Sequence, residues 1–325
     1  MVTNFHRKSS VVWRGMAVCL LAVVIAAPME TAAQMTFSRI VVFGDSLSDP
    51  GNDFALINTQ NTPPYDNLDP GTIIPHAPYA KGGHHYSNGA TWVEQFARQR
   101  GLAAYVAPAW QSAGAKAANY ATGGGRAHNE TGYVNLTQQV SQYLNDAGGE
   151  ASADVLYVIE FGANDIRDIL VGGDPNVIIP LAINSMKENI LYLYGAGARK
   201  FLVWNVPDMS LTPAIIALDS MMPGTQAAVL QLVNAYNGGL TALLAGLSVL
   251  PGIEIKPFDA SATVRALVAN PEAYGLEVVN ASCVKPNVPP FECQEPDEYL
   301  FWDGIHPTKA THAVIAQDIA GLLSQ

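Results

Sequence analysis

The chain has 325 residues, 49% of them hydrophobic, and 17 Lys and Arg against 28 Asp and Glu give a formal net charge of −11. A chain of that length can bury about three quarters of its surface around a single core. The acidic balance keeps the protein soluble, and the absence of a basic stripe for neutralising phosphates excludes nucleic acid as an expected partner.

In chain order, His6, Arg7, Lys8 and Arg14 precede the apolar run GMAVCLLAVVIAA (15–27), followed by small residues at Thr31 and Ala33. This reads as a secretory signal peptide over 1–33, cut after Ala33. Thirteen apolar residues fall short of the roughly 20 that span a bilayer. Cys19 lies inside the run, which gives no sign of a lipid anchor. The remainder, 34–325, is expected to be one domain, extracellular or periplasmic.

Short apolar runs then alternate with helix-length segments. The runs are RIVVF (39–43), AANYA (117–121), VLYVIEF (155–161), FLVWNV (201–206) and GIEIKPF (252–258). Between the third and fourth, Ala182, Met186, Ile190 and Leu193 recur at helical spacing, with Pro180 suited to a first turn and Gly195 and Gly197 as stops. Residues 225–247 and 308–324 are further helices, the last capped by Thr308. Strands alternating with covering helices give an α/β fold with a central parallel sheet and helices on both faces. Residues 59–90, rich in Pro, Gly, Asn and His, form a long excursion of the kind that serves as a lid or binding wall. After loss of the leader two cysteines remain, Cys283 and Cys293, and an oxidising compartment would have them close a short loop.

Ligands of open parallel sheets bind where strands end at their carboxyl edge. The first run delivers Asp45 and Ser46 there; the second, Thr122 to Gly125; the third, Gly162 to Asp165. The turn FWDGIHPT adds Asp303 and His306. A serine hydroxyl needs a base within hydrogen-bond reach, and the base needs an acceptor that fixes its tautomer. Ser46, His306 and Asp303 can fill those parts. The oxyanion formed on attack would meet the Ser46 amide, the Gly123 amide and the Asn164 side-chain NH₂. Taken singly, each segment is also ordinary turn or helix-cap chemistry.

Other site classes are absent from the pattern. TGGGRAH would place the third glycine of a dinucleotide fingerprint on His128, and there is no Walker A loop or helical zinc pair. Ser48 stands where a Gly-x-Ser-x-Gly elbow has its last glycine. His84, His85, His128 and His312 lack a tight ligand spacing and are expected in surface or loop roles. No metal or organic cofactor is expected.

FGDSLSDPGN, NYATGGG, FGANDI and FWDGIHPT, in that order, resemble the conserved blocks of the SGNH, or GDSL-type, serine hydrolases. The resemblance covers 43–308 and implies a three-layer α/β/α flavodoxin-like fold. It implies Ser46 as nucleophile, Asp303 and His306 as the rest of a triad, and Ser46, Gly123 and Asn164 as oxyanion donors. With three glycines in a row, Gly124 is the alternative to Gly123. PYAKGGHHYSNGATWVEQF and the late cysteine pair are similar to the larger secreted branch of lipases, esterases and lysophospholipases, which implies a small-molecule or lipid ester substrate met at times on a lipid surface. Pro50 stands where that branch often has Thr, with a local effect expected on the next helix start. Two rival readings are an acyltransferase or phospholipase using the same residues, and a secreted carbohydrate-binding protein with Trp92, Trp110 and Tyr86 as its platform. NET (129–131), NLT (135–137) and NAS (280–282) match the glycosylation acceptor.

Overall fold

The computed structural model describes residues 1–4, 34–111 and 116–325. All but the first four residues of the expected leader therefore lie outside the described residues. Strand β1 (Arg39–Gly44) leads into a short helix α1 (Asn52–Ile57), and α2 (Trp92–Gln99) follows after the long excursion. Next come α3 (Leu136–Asp146), β2 (Val155–Glu160), α4 (Ala163–Leu170), α5 (Pro175–Gly195) and β3 (Lys200–Trp204). The chain continues through α6 (Pro213–Met221), α7 (Thr225–Leu247), β4 (Glu254–Phe258), α8 (Ala260–Ala269), β5 (Val278–Ser282), β6 (Tyr299–Phe301) and α9 (Lys309–Leu323). The described residues from 34 onward form one compact unit.

Strands β1 to β4 pair in parallel in the order β1-β2-β3-β4, and β5 pairs with β6 in a separate ladder. The expected strand at 117–121 is reduced to an isolated parallel bridge between Val42 and Asn119. It nevertheless runs along the free edge of β1 through Val42 N to Ala118 O, Tyr120 N to Val42 O and Thr122 N to Gly44 O. Counted with that segment, the order is 2-1-3-4-5, the flavodoxin-like arrangement.

Alternation along the strands sorts their side chains into two cores. Val41, Phe43, Tyr157, Ile159, Phe201 and Val203 pack against α3, α5 and α7. Ile40, Val42, Leu156, Val158, Leu202 and Trp204 pack against α2 and α9. The result is a three-layer α/β/α fold. All six residues of β2 are buried, as expected for a strand covered on both faces.

One expectation is corrected in α5. Asp174 caps this helix by accepting from the Asn176 amide, and Pro175 is its first residue, so Pro180 sits inside the helix rather than in its first turn. Pro180 lies on an exposed stretch, where the carbonyl that lacks its usual partner can turn to water. Helices α7 and α9 occur where the spacing predicts them, and the Thr308 side chain accepts from the Thr311 amide as a cap.

The excursion between α1 and α2 is not a bare loop. Its Tyr65 and Tyr79 join Cys283, Cys293 and Trp302 in a small satellite core, and Cys283 and Cys293 are disulfide-bonded. The excursion and the disulfide-closed loop thus brace the turn that carries Asp303 and His306.

Candidate active site

β1 ends at Gly44 because nothing larger fits: a Cβ there would lie 2.9 Å from Glu160 Oε2. The chain then turns sharply, with the Asp45 carboxylate accepting the Leu47 amide at 3.0 Å. This turn lifts Ser46 to the carboxyl edge of the sheet, 9% exposed. The second hydroxyl of the motif points elsewhere: Ser48 Oγ donates to Glu160 Oε2 and accepts from the Trp92 indole, and Ser48 is wholly buried. Only Ser46 is therefore presented to the pocket.

His306 Nε2 lies 2.9 Å from Ser46 Oγ. The other ring nitrogen, Nδ1, lies 2.8 Å from Asp303 Oδ2. A carboxylate at Nδ1 places the ring proton there, which leaves Nε2 as the acceptor facing the serine hydroxyl. Asp303 is itself fixed on all sides: Oδ1 accepts the amides of Ile305 and His306 at 2.9 and 2.8 Å, and Oδ2 accepts from the Tyr79 hydroxyl at 2.9 Å. The Tyr86 ring sits 5.1 Å from the imidazole, its hydroxyl bound to Asp53 Oδ2 at 2.6 Å.

Asn164 enters from the first turn of α4. Gly162 precedes it at φ 123°, where a side chain would strike Val206 and Tyr236. Asn164 Nδ2 has two acceptors, Asp45 Oδ2 at 3.1 Å and Gly125 O at 3.0 Å, and Oδ1 accepts from Arg167 at 3.0 Å. The glycine loop is tied to the same helix, because Asp165 accepts the amides of Ala127 and His128 and the His128 ring.

The two candidate glycines differ in a contact from the first block. The Gly123 amide donates to Asp49 Oδ2 at 2.9 Å and so is already taken. Gly124, at φ 73°, has an amide with no partner among the described residues, as does Ser46. Arg126 fixes that peptide by donating to the Gly124 carbonyl while its guanidinium holds Asp168 through two bonds of 2.9 and 2.8 Å.

Three buried carboxyl groups, Glu160, Asp45 and Asp49, lie around the turn that carries the nucleophile, and sequence reasoning missed Glu160. Glu160 Oε2 accepts the Asp45 amide at 3.2 Å as well as Ser48 Oγ. Burial, reinforced by Asp45, pushes Glu160 well above the usual carboxylate range. Burial also pushes Asp45 up to about 6, against the pull of the Leu47 amide and of His306. Asp49 rises to about 7 through burial and then the nearby Asp53. An acid inside the run VLYVIEF was the available signal for Glu160, since a buried acid must find partners.

His84, His85 and His128 lie in loops, with His85 and His128 buried there at 6% and 7% exposed, whereas His312 sits on α9 and is 1% exposed, which corrects the expectation for that residue. The aromatic platform is not assembled either. Trp92 is fully buried against Trp204, and Tyr86 belongs to the imidazole's surroundings. Asn135 of the NLT motif is wholly buried, accepting from the Arg126 amide and donating to Glu130 O. His128, Glu130 and Asp168 come within reach of one another as metal ligands do, but Arg126 holds both oxygens of Asp168, and Asp165 holds His128 Nδ1.

Ser46, His306 and Asn164 line one pocket, whose remaining wall is largely apolar and includes Leu47, Met209, Val264, Phe301 and Ile305. No helix among the described residues is long and apolar enough to cross a membrane.

The family model described as GDSL-like Lipase/Acylhydrolase matches residues 40–319. A GDSL esterase/lipase of Arabidopsis thaliana is 27% identical over 92% of this chain and 92% of its own length. The thermolabile hemolysin of Vibrio parahaemolyticus is 27% identical over 86% of this chain and 62% of its own. Among solved structures, an acetylxylan esterase of Geobacillus stearothermophilus aligns with TM-score 0.47 and 11% identity, covering 90% of this chain and 97% of that one.

Proposed function

The chain belongs to the GDSL-like lipase/acylhydrolase family of carboxylic ester hydrolases, and we propose that it is a secreted serine esterase or lipase with Ser46 as its nucleophile. The observation that carries this reading is the continuous hydrogen-bonded series from Ser46 Oγ through the His306 ring to Asp303.

As Ser46 Oγ attacks the acyl carbon, His306 Nε2 takes the hydroxyl proton, and the carbonyl oxygen gains negative charge. Asp303 stays ionised and stabilises the imidazolium. Collapse of the tetrahedral species breaks the bond to the alcohol oxygen, which leaves with the proton from His306. The acyl group is then an ester of Ser46. Water attacks it, His306 takes the water proton, and the acid departs as that proton returns to Ser46. Acid–base catalysis of this kind contributes about 10²–10⁴-fold.

The donors that fit the oxyanion are the free amides of Ser46 and Gly124, with Asn164 Nδ2 as the third. Asn164 reaches a substrate oxygen by giving up one of its present acceptors, Asp45 or Gly125. The apolar wall supports an acyl chain as its occupant. Export is supported by the leader pattern at 1–33 and by the disulfide, which suits an oxidising compartment.

A panel of nitrophenyl esters from acetyl to palmitoyl, run with the wild type and with His306→Ala, tests the reading. Hydrolysis of part of the series, lost in the variant, supports it. No hydrolysis by the wild type, or undiminished hydrolysis by the variant, overturns it.

A further inference from the structure

Arg167 is the unexplained charge of this pocket. It lies on α4 three residues after Asn164, and its side chain leans back toward the start of the helix. There its guanidinium donates to Asn164 Oδ1 at 3.0 Å, and it lines the same pocket as Ser46 and His306. No carboxylate among the described residues comes within ion-pair distance of it. The nearby acids are committed: Asp168 to Arg126, Asp165 to His128 and two amides, and Asp45 to Asn164. Asp69 and Asp168 act on Arg167 only at longer range, while burial and the like charge of Arg126 hold its guanidinium below the ordinary arginine range.

Such an arrangement is costly in the free protein, and the cost falls when an anion enters. Arg167 is partly buried, and a partly desolvated charge without a counter-charge is disfavoured, whereas a guanidinium offers a planar fork that matches carboxylate and phosphate oxygens. That a chain of net charge −11 leaves Arg167, beside the reacting groups, without an ion pair among the described residues therefore needs an explanation in the ligand. A purely structural role would be served by pairing it, as Arg126 is paired.

We propose that Arg167 is an anion subsite for the substrate, binding a carboxylate or phosphodiester group carried close to the scissile ester. The proposal rests on Ser46 as nucleophile, because it places the charged group one side chain away from the reacting carbonyl, across Asn164. The positive end of α4 adds to the attraction. The protein then prefers monoanionic esters to neutral ones of equal length.

The test is a comparison of kcat/KM for matched substrates. One arm sets nitrophenyl butyrate against the nitrophenyl half-ester of succinate; the other sets a monoacylglycerol against a lysophosphatidylglycerol with the same acyl chain. In at least one arm the wild type favours the anionic member. Arg167→Gln lowers kcat/KM for that member about tenfold or more beyond its effect on the neutral one, mainly through KM, and Arg167→Lys restores part of the preference. The arm that responds identifies carboxylate or phosphodiester as the source. Equal losses on both members would reduce Arg167 to a support for Asn164 and overturn the subsite, as would a wild type without anionic preference in either arm. Should Arg167→Gln fail to fold, butyl phosphate decides with the wild type: competitive inhibition of nitrophenyl butyrate hydrolysis that weakens with added salt supports the subsite, and no inhibition overturns it. Hydrolysis surviving Ser46→Ala would instead remove the nucleophile assignment on which the subsite rests.

Discussion

The Tyr79 hydroxyl donates to Asp303 Oδ2 at 2.9 Å, joining residues 224 positions apart in the chain. Tyr79 is wholly buried, edge-on to both Tyr65 and Trp302. The long excursion between α1 and α2 therefore reaches the carboxylate that orients the imidazole, and fixes the oxygen that faces His306 Nδ1.

Tyr79→Phe keeps the ring packing and removes one hydrogen bond to a charged group, an interaction worth about 1.5–3 kcal/mol. The expected result is a fall in kcat of roughly tenfold with KM nearly unchanged and the circular dichroism spectrum retained. A KM effect alone would make Tyr79 a wall of the pocket rather than a positioning residue for Asp303.

Much of this site was legible because its pieces are local. FGDSLSD and FWDGIHPT each contain, within a few residues, both the reacting side chain and the turn that presents it. The helices at 225–247 and 308–324 were legible for the same reason, since apolar periodicity and a cap are local signals. What was not legible depends on contacts between distant segments. Gly123 looks as able as Gly124 to present an amide until Asp49, more than seventy positions earlier, is seen to hold it at 2.9 Å. Tyr79 lies in the segment PYAKGGHHYSNGATWVEQF, but nothing local to that segment names its partner, and only the fold brings it to Asp303. The segment 117–121 has the composition of a strand, yet it runs beside β1 as a single bridge.

Asn164→Ala removes the side-chain donor proposed for the oxyanion. Loss of one such donor typically costs about 10²–10³ in kcat, and steady-state kinetics on a short nitrophenyl ester are expected to show that loss with little change in KM. A kcat within fivefold of the wild type would mean that the amide serves only its present partners, Asp45 and Gly125.

The pH dependence of stability has an identifiable source in His312, which is 1% exposed with Nδ1 unpartnered among the described residues. Burial, helped by the like charge of His85 and His306 and opposed by Glu94, lowers its pKa from 6.5 to about 3. Between those values the unfolded chain binds the proton and the folded protein does not, so stability present above pH 6.5 is lost as pH falls toward 3. At pH 4.5 this amounts to about 2–3 kcal/mol. Asp45 and Asp49, raised to about 6 and 7, act in the opposite sense over the same fall in pH. The prediction is therefore a difference between two proteins: in urea titrations at pH 7 and 4.5, His312→Gln loses less stability than the wild type. Equal losses in both would contradict it.

Covalent labelling of the nucleophile tests the central claim most directly. A fluorophosphonate is incubated with the wild type and with Ser46→Ala, and the adduct is located by peptide mass spectrometry. The account predicts one adduct, on Ser46, formed in step with the loss of ester hydrolysis and absent from the variant. An adduct on Ser48 or another serine, or labelling of Ser46→Ala at the wild-type rate, would contradict it.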